Sequence, residues 1–390
     1  MKIAEIIGRF PPVYGGQTPV EININSELAK RGHTIYFLTP KFNQIHAEYE
    51  NHEGINVVRV NPPLKGPLSE LLFVLNAFAK IRKLKIAPDI ILDLIPFGNS
   101  MLITRIYSKL LNIPVVCKLT QVGTNEPLAA GNGKFGFLRK KLFHAYDKVI
   151  SISPILLENC QRAGIPENRI ELIANCVNTD IFVPVIKNVK NNLRQKLFPG
   201  LKGKIVIVVG TVSKRKRPHL AIEAWKILKT KYSEPATLVF VGPIQSTGHP
   251  FDEKYVDQLK EKIKQFNLED SVIFTGVQNK IYEYYQASDI SLFVSEREGL
   301  GMVVLEAMSA EIPIVTVNIK RITEYLITSG KEGFITSDDP HEISKKLLTL
   351  LSNSEIRELM GKNGRKNVLA RFSVNEITDK IENLYRNAIS

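Results

Sequence analysis

The sequence predicts an α/β protein made of two doubly wound domains that face a cleft. Short apolar, β-branched runs recur at helix-length intervals, from IAEII near residue 5 to IELIA near residue 172. The same rhythm restarts after Pro184, from KIVIVV near residue 207 to IPIVTV near residue 315. Continuous apolar runs of this kind are typical of parallel strands whose two faces are covered by helices. A chain of 390 residues also has room for two domains of ordinary size.

The first domain is predicted to span residues 1–184 and to contain about six strands. Residues Thr18 to Lys30 follow the first strand with the pattern of a helix. The remaining strands of this domain are expected at TIYFL near residue 36, DIILDL near 91, VVCKL near 117 and KVISIS near 150.

The second domain is predicted over residues 204–370. Residues 185–203 lack an apolar run and contain Asn, Lys, Pro and Gly, the composition of an interdomain connection. Strands are then expected at TLVFV near residue 239, SVIFT near 273 and DISLFV near 291. Residues 371–390 have a helical pattern after the last strand, and this helix is expected to return to the N-terminal domain.

The composition is that of a folded globular protein, with 44% apolar and 23% charged residues. No uncharged stretch approaches the roughly 18 apolar residues that a membrane-spanning helix needs. Glu5 interrupts the apolar run at the N-terminus, which is unlike a secretory signal, so we expect a cytoplasmic protein. Cys117, Cys160 and Cys176 form no CxxC pair, and neither a disulfide framework nor a zinc site is expected.

The formal net charge of +13 points to an anionic partner: nucleic acid, an acidic membrane surface or a phosphorylated substrate. The basic excess is divided almost evenly before and after Pro184, which argues against a nucleic-acid module. Two segments combine basic and apolar residues. Residues 68–85 are interpreted as a helix with a core face, whereas residues 134–148 have the mixture typical of an interfacial helix at the inner face of a membrane.

The first candidate ligand-binding segment is IGRFPPVYGGQTP at residues 7–19, directly after the first strand. Gly15 and Gly16 allow a ligand to approach the backbone, and the following helix N-terminus attracts anions. A phosphate site and an ordinary strand-to-helix turn explain this segment equally well. The chain contains neither GxGxxG nor GxxxxGK, so a dinucleotide fingerprint and a Walker loop are unsupported.

The segment with the strongest evidence for a ligand site is SEREGLGMVVLEAMSAEIPIV at residues 295–315. Its glycines connect a strand to a helix. The free amides at the start of this helix are predicted to bind a diphosphate. Glu298 and Glu306 lie eight positions apart on either side of this anion site, and carboxylates are suited to bind vicinal hydroxyls. We therefore assign Glu298 to a sugar and Glu306 to a ribose. The residues predicted to form the anion site itself are Gly299, Leu300, Gly301, Met302 and Val303.

The third segment, VGTVSKRKRPHLAIEAW at residues 209–225, again joins a strand to a helix through a glycine. Four bases stand together in it, Lys214, Arg215, Lys216 and Arg217. Cations at this position would stabilise a diphosphate that gains negative charge as it leaves. A solvated basic loop is the alternative for some of the four.

With these motifs the chain resembles the retaining, nucleotide-sugar-dependent glycosyltransferases of family four, which have the two-domain, Rossmann-like GT-B fold. EGLGMVVLEAM is similar to the Glu-x7-Glu signature of that family. Further matches follow in family order over nearly the whole chain: PPxxGG, LAKRGHTIYFLT at residues 28–39, ANCVNTDIF at 174–182, GTVSKRKRP at 210–218, VIFTGV at 272–277 and the closing RFSVNEITDKIENLY.

The resemblance implies transfer of a sugar from a nucleoside diphosphate to an acceptor hydroxyl, with the anomeric configuration kept. It assigns catalysis to Glu298 and Lys216, ribose binding to Glu306 and nucleobase contact to the backbone near Val277. Arg215 and Gly15 join the donor site, and Gly16 closes over the phosphates. It implies no cofactor and no metal, which agrees with the lack of an Asp-x-Asp pair. On the acceptor side it points to the loop of Gln121, Thr124 and Asn125.

The chain departs from the family pattern at several positions. Glu311 stands where the family often has glycine, and Lys320 and Arg321 stand where it has a glycine pair. Thr211 replaces an arginine and Cys176 a glycine, and the usual acceptor-side histidine is missing. Lys320 and Arg321 would either substitute charge for lost amide contacts or block the donor pocket; substitution is the reading that we favour.

The sequence thus predicts a cytoplasmic glycosyltransferase that adds a sugar to a cell-envelope polysaccharide or a lipid-linked oligosaccharide. A UDP-sugar is the favoured donor, and a GDP-sugar is the alternative. Polysaccharide, oligosaccharide and glycolipid acceptors remain open, as does contact with an anionic membrane. The competing functions are a binding or scaffold protein with a degenerate donor site, a sugar-nucleotide epimerase, and a phosphorylase on the same fold.

Overall fold

The computed structural model describes the whole chain except residues 12–15, 42–45, 62–68, 96–97, 124–125, 131–135 and 246–251. It divides into two compact units. The first contains Met1–Cys176 together with Val374–Ser390, and the second contains Val177–Ser373. Each unit is built on a largely or wholly parallel sheet flanked by helices, so the predicted fold class is confirmed.

The first unit holds an eight-stranded sheet with the order β3-β4-β2-β1-β5-β6-β7-β8. All neighbouring strands are parallel except β3, which runs antiparallel to β4 at one edge. The sheet exceeds the expected six strands because β3 and β4 were not predicted. The strands are β1 (Lys2–Ile6), β2 (Thr34–Pro40), β3 (Tyr49–His52), β4 (Ile55–Val60), β5 (Ile90–Asp93), β6 (Val115–Leu119), β7 (Lys148–Ser151) and β8 (Ile170–Leu172).

The second unit holds a six-stranded, fully parallel sheet with the order β11-β10-β9-β12-β13-β14. The order reverses between β9 and β12, and loops that follow strands on either side of such a switch point form the ligand sites of open parallel sheets. The strands are β9 (Lys204–Val209), β10 (Ala236–Val241), β11 (Val272–Phe274), β12 (Ile290–Phe293), β13 (Ile314–Val317) and β14 (Gly333–Thr336).

Helices cover both sheets. In the first part of the chain they are α1 (Thr18–Lys30), α2 (Ser69–Lys83), α3 (Gly98–Leu111), α4 (Pro127–Ala130), α5 (Gly136–Phe143) and α6 (Pro154–Arg162). The later helices are α7 (Lys187–Leu197), α8 (Pro218–Lys229), α9 (Glu253–Gln265), α10 (Ile281–Ala287), α11 (Met302–Ser309), α12 (Thr323–Leu326), α13 (Pro340–Ser352), α14 (Ser354–Arg371) and α15 (Val374–Ile389).

The segment expected to connect the domains is instead part of the second unit. Residues 185–203 contain α7, whose Lys190 and Arg194 lie one turn apart and form ion pairs of 2.9 and 2.5 Å with Asp289. Burial opposes the ionised form of Asp289, but these two cations outweigh it and hold the pKa of the carboxyl below its ordinary value. The chain therefore passes from the first unit to the second between Cys176 and Val177 rather than at Pro184.

The C-terminal helix α15 belongs to the first unit, where it packs against α1. Arg31 at the end of α1 forms ion pairs with Asp379 and Glu382 at 2.5 and 3.2 Å, and His33 lies 3.1 Å from Glu382. Tyr385 of α15 is fully buried, as are Ile377 and Leu384, so an apolar face seals this contact.

Candidate donor site

Three neighbouring parallel strands of the second unit are each followed by a glycine, at the edge where their carboxyl ends lie side by side. Gly210 follows β9, Gly242 lies just after β10 and Gly276 just after β11, all with positive φ. The Gly210 amide donates to Val241, and the Gly242 amide donates to Gly276. A Cβ atom on Gly242 would lie only 2.3 Å from the carbonyl oxygen of Gly210, so no larger residue fits there.

The loop after β9 brings two cations to one carboxylate in the loop after β12. Oε1 of Glu298 accepts from Nζ of Lys216 at 2.6 Å and from Nη1 of Arg215 at 2.9 Å. The same Arg215 group also donates to the carbonyl of Arg297, and the amide of Glu296 donates to the carbonyl of Arg215. Loops that are 82 or 83 residues apart in the chain are therefore tied together at the switch point.

Glu298 is ionised at neutral pH in this arrangement. Its side chain is only 12% exposed, and that burial alone would raise its pKa. Lys216 and Arg215 outweigh the burial, so the pKa of Glu298 is lower than its ordinary value. Lys216 also makes a cation–π contact, because its Nζ lies 5.6 Å from the ring centre of Phe293.

The four basic residues of the loop after β9 have different ion-pair partners. Lys214 forms an ion pair with Asp252 at 2.9 Å, and Arg217 binds both carboxylate oxygens of Asp338 at 2.5 and 3.1 Å. Arg217 also donates to the carbonyls of Val294 and Ser295, so it fixes the end of β12. Among the four basic residues of this loop, Arg215 and Lys216 contact Glu298, whereas Lys214 and Arg217 pair with other carboxylates.

Helix α11 begins at this edge and presents its free amides. Gly301 precedes it with φ of 96°, a left-handed conformation that glycine adopts without strain. In the described part of the chain, the amides of Gly301, Met302 and Val303 donate to no backbone acceptor. Leu300 is buried, and Gly299 lies in the loop before it. The start of α11 can therefore bind an anion through backbone donors and the helix dipole.

Glu306 is oriented by a tyrosine that the sequence analysis did not identify. Oε2 of Glu306 accepts from the hydroxyl of Tyr285 at 2.9 Å, and Tyr285 itself is fully buried in α10. Burial raises the pKa of Glu306, while the tyrosine hydrogen bond and the charge of Lys216 oppose the rise. Lys216 is thus close enough to influence both glutamates.

The remaining predicted donor residues lie in loops. Val277, just beyond Gly276 at the carboxyl end of β11, is 57% exposed. Gly16 is exposed just before α1 in the first unit, and a Cβ atom there would meet nothing within 4 Å. Gly15 lies outside the described residues.

The predicted acceptor loop follows β6 of the first unit. Gln121 is exposed there, and Thr124 and Asn125 lie outside the described residues. The sequence analysis missed Glu126, whose buried carboxylate accepts from the Gly123 amide at 3.0 Å and from the side-chain amide of Asn159 at 2.6 Å. This carboxylate fixes the loop to α6, and a lone acid beside a proline gave no sequence signal for that role.

Two of the non-glycine replacements adopt backbone conformations that favour glycine. Glu311 and Arg321 have φ of 59° and 61°, at a cost of about 1–2 kcal/mol for a non-glycine residue. The backbone at these two positions therefore has a conformation that glycine adopts without strain, although neither residue is glycine. Lys320 and Thr211 are exposed, whereas Cys176 is buried and its thiol approaches the carbonyl of Val20 at 3.9 Å.

The described residues contain neither a three-residue cluster of potential metal ligands nor a helix that combines the length and apolarity needed to span a bilayer. All three cysteines are buried and free.

Comparisons with known proteins identify the family of the chain. Residues 189–367 match the family model described as Glycosyl transferases group 1, and residues 14–181 match the model described as Glycosyltransferase Family 4. The chain is 23% identical over 396 residues to N-acetyl-alpha-D-glucosaminyl L-malate synthase of Bacillus anthracis, covering 99% of this chain and 97% of that protein. It is 27% identical over 247 residues to the capsular polysaccharide biosynthesis glycosyltransferase CapM of Staphylococcus aureus, covering 63% of this chain and 62% of that protein.

Among solved structures, the crystal structure of HepE from Anabaena in complex with UDP and glucose has a TM-score of 0.77 at 21% identity, covering 99% of this chain and all of that one. This likeness shows a shared fold. Together the two family models cover almost the whole chain. The chain therefore belongs to the group 1 glycosyltransferases of the two-domain GT-B fold.

Proposed function

We propose that the second unit binds a nucleoside diphosphate sugar at the start of α11 and that the chain transfers the sugar to a hydroxyl group with retention of configuration. The observation that carries this proposal is the convergence of Lys216 and Arg215 on Glu298 beside the first amides of α11, which in the described part of the chain donate to no backbone acceptor. Two cations, helix amides and a sugar-binding acid are the set of groups that a diphosphate joined to a sugar requires.

Lys216 is assigned to the diphosphate. Its ammonium group lies in a largely buried position, with 17% of its side chain exposed, where charge interactions are less screened than in water. Negative charge accumulates on the bridging oxygen as the sugar leaves, so a fixed cation stabilises the transition state more than the bound donor. A well-placed donor of this kind contributes about 3 kcal/mol to lowering the barrier.

The two glutamates are assigned to hydroxyl groups. Glu306 is oriented by Tyr285, so one of its oxygens is held while the other remains available for a ribose diol. Glu298 is kept ionised by its two cations, which suits it to accept hydrogen bonds from hydroxyls of the donor sugar. We propose that the reaction requires no protein-bound metal, because these cations provide the charge that a metal ion would otherwise supply.

A UDP-sugar is the favoured donor, and a GDP-sugar is the alternative. Support for uridine comes from the similarity in fold to HepE, whose crystals contained UDP and glucose. The similarity to CapM supports an acceptor in envelope polysaccharide or lipid-linked oligosaccharide synthesis. Cytoplasmic localisation and peripheral contact of residues 134–148 with an anionic membrane are part of this proposal.

The proposal is tested first by titration calorimetry with UDP, GDP and uridine. We expect a diphosphate nucleotide to bind and uridine to bind much more weakly, since uridine lacks the group that the cations recognise. Lys216→Ala should weaken diphosphate binding, whereas Lys214→Ala is the matched control because Lys214 pairs with Asp252 instead. Equal affinity of both variants and the original protein for UDP and GDP would contradict the site.

Turnover then separates the competing functions. Release of UDP or GDP that depends on an acceptor hydroxyl supports a transferase. Tight nucleotide binding without turnover favours a scaffold protein. Conversion of the donor without acceptor favours an epimerase, and a requirement for inorganic phosphate favours a phosphorylase.

A further inference from the structure

Two adjacent cations form the corner of a tight turn after β13, and the roles proposed for the donor site do not use them. The amide of Ile322 donates to the carbonyl of Ile319 at 2.9 Å, so Lys320 and Arg321 are the two central residues of a β-turn. Ile319 and Ile322 are 6% and 2% exposed, whereas both central residues are exposed. We call Lys320 and Arg321 the β13 turn cations.

The turn is fixed at both of its ends. Thr323 is buried, its hydroxyl accepts from the amide of Ile319 at 3.0 Å, and its own amide donates to the carbonyl of Ile319 at 3.1 Å. On the other side, the amide of Asn318 donates to the carbonyl of Thr336 in β14 at 2.8 Å. Glu324, the acid nearest to the turn in the chain, accepts from the side-chain amide of Asn318 at 3.3 Å. These bonds set where the backbone of the two cations lies.

The turn opens at the edge of the sheet that carries the donor site. Strand β13 is hydrogen-bonded to β12, and neighbouring strands are about 4.8 Å apart. Leu326 of α12, the helix that follows the turn, lies against the start of α11, because a Cβ atom on Gly301 would be 3.4 Å from its Cδ1. Arg217 after β9 pairs with Asp338 after β14, so the loops on either side of β13 converge at this edge. The β13 turn cations therefore lie at the same edge as the anion site of α11.

The backbone of the turn is unfavourable for the residue that occupies it. Arg321 has φ of 61°, a left-handed conformation that glycine adopts without strain. Residues held in such conformations occur preferentially at ligand-binding positions, where the surrounding structure maintains them. The position thus combines a strained backbone with an exposed positive charge.

The diphosphate of the proposed donor already has its own partners. Lys216, Arg215 and the first amides of α11 supply them in the proposed function. Two further cations at the same edge match a further negative charge on the substrate. Carboxylate and phosphate groups both suit the pair, because a guanidinium binds two of their oxygens side by side and an ammonium adds a point charge.

We propose that the β13 turn cations bind an acidic group of the substrate that is not part of the diphosphate. The group is a carboxylate or a phosphate, carried by the donor sugar or by the sugar that accepts it. The inference rests on the proposed function and names the substrate class of that site, an acidic sugar.

Calorimetry with the full chain tests the donor sugar as the source of the acid. UDP-glucose and UDP-glucuronate differ in the carboxylate at carbon 6, and UDP measures the nucleotide site alone. We expect UDP-glucuronate to bind about 5–30-fold more tightly than UDP-glucose. The preference should shrink as salt is raised, because the cations are exposed. If the nucleotide site prefers GDP, GDP-mannose and GDP-mannuronate replace this pair.

A second titration tests the acceptor as the source. Protein saturated with UDP is titrated with glucose 6-phosphate and with glucose. If the acid belongs to the acceptor, glucose 6-phosphate should bind more tightly than glucose, and UDP-glucuronate should have no advantage over UDP-glucose.

The test variant is Lys320→Ala with Arg321→Gly. It should abolish whichever preference the original protein shows and leave the affinity for UDP unchanged. Glycine fits the left-handed backbone at position 321, so the melting temperature should not fall. The matched control, Lys362→Ala with Lys366→Ala, removes two exposed positive charges from α14 of the same unit and should keep the preference.

Three results would overturn the proposal. The first is that neither acidic compound binds the original protein more tightly than its neutral counterpart. The second is a preference that the test variant retains. The third is an equal loss of affinity for UDP and UDP-glucuronate in the test variant, because the cations would then serve the diphosphate. Failure of the original protein to bind either UDP or GDP contradicts the proposed function instead, and the inference that rests on it falls with it.

Discussion

Replacing Lys216 by alanine is the most informative perturbation of the donor site. The change removes the ammonium group 2.6 Å from Glu298 but leaves Arg215 at 2.9 Å, so the carboxylate keeps one partner. If Lys216 stabilises charge that develops on the leaving diphosphate, kcat should fall about 10²–10³-fold, equivalent to about 3–4 kcal/mol. The Michaelis constant should rise much less, because the cation is most valuable in the transition state.

The same substitution should also shift the pH dependence. Burial raises the pKa of Glu298, and Lys216 is the strongest influence that opposes it. Without Lys216 the pKa of Glu298 must rise, so the carboxylate begins to protonate at higher pH. The acid limb of kcat/KM should therefore move to higher pH in Lys216→Ala and return toward its original position in Lys216→Arg, which restores the charge.

Initial rates at saturating and limiting donor, measured from acid to neutral pH, test both effects. The donor is the one that calorimetry identifies, and Lys214→Ala controls for removal of one positive charge from the same loop. The reasoning fails if Lys216→Ala raises the Michaelis constant while kcat is unchanged. It also fails if the acid limbs of the original protein and the variant coincide.

Three further variants probe the groups around the predicted sites. Tyr285→Phe removes the hydroxyl that donates to Glu306, and calorimetry should show nucleotide affinity about 5–30-fold weaker. Glu126→Gln cannot accept from both Gly123 and Asn159 as the carboxylate does, so the free energy of unfolding should fall by about 1–3 kcal/mol in denaturant titrations followed by circular dichroism. Glu382→Gln should reduce the melting temperature at pH 7 but have little effect near pH 2, as measured by thermal melting.

The sign of the Glu382 prediction follows from its partners. Hydrogen bonds from Arg386, His33 and Arg31 lower the pKa of this carboxyl to about 2, although burial opposes them. A lowered pKa in the folded state adds stability above the unfolded pKa of about 4.3, and that stability is lost as the pH falls toward 2. An equal effect of Glu382→Gln at both pH values would contradict this linkage. Unchanged nucleotide affinity in Tyr285→Phe, or unchanged stability in Glu126→Gln, would contradict the other two.

The sequence predicted the buried strands well because their apolar runs are continuous. Helix α1 was predicted over Thr18–Lys30 and has those bounds. The inner strand β4 was missed, and so were the edge strands β3 and β14, although the edge strands β8 and β11 were predicted. For β3 and β14 the reason is physical. Strand β3 reads YENH and is half exposed, and β14 reads GFIT, where Gly333 packs so closely that a Cβ atom would lie 2.1 Å from the Ile314 carbonyl oxygen. Edge and glycine-containing strands do not need the apolar run that reveals a central strand.

The sequence did not predict which side chains of distant loops contact each other. Glu298 and Lys216 were each singled out, but nothing in the chain shows that β9 and β12 are neighbours, because that depends on the crossover of the sheet. For the same reason Arg217 was grouped with Lys216, although adjacent side chains of this short turn diverge toward Asp338 and Glu298. Tyr285 lies in a run of aromatic residues, and only the packing of α10 against α11 singles it out.

The charge arrangement explains how two cations can lie close together at the donor site. Two cations held together with no counterion would repel each other, and the carboxylate of Glu298, which pairs with both, reduces that repulsion. A diphosphate that enters must compete with Glu298 for Lys216, and the carboxylate, which keeps Arg215, then needs a donor in place of Lys216. A hydroxyl of the attached sugar can supply it, whereas free pyrophosphate cannot. The site should therefore favour the complete nucleotide sugar over its isolated diphosphate, because only the complete donor satisfies both partners of the ion pair that it separates.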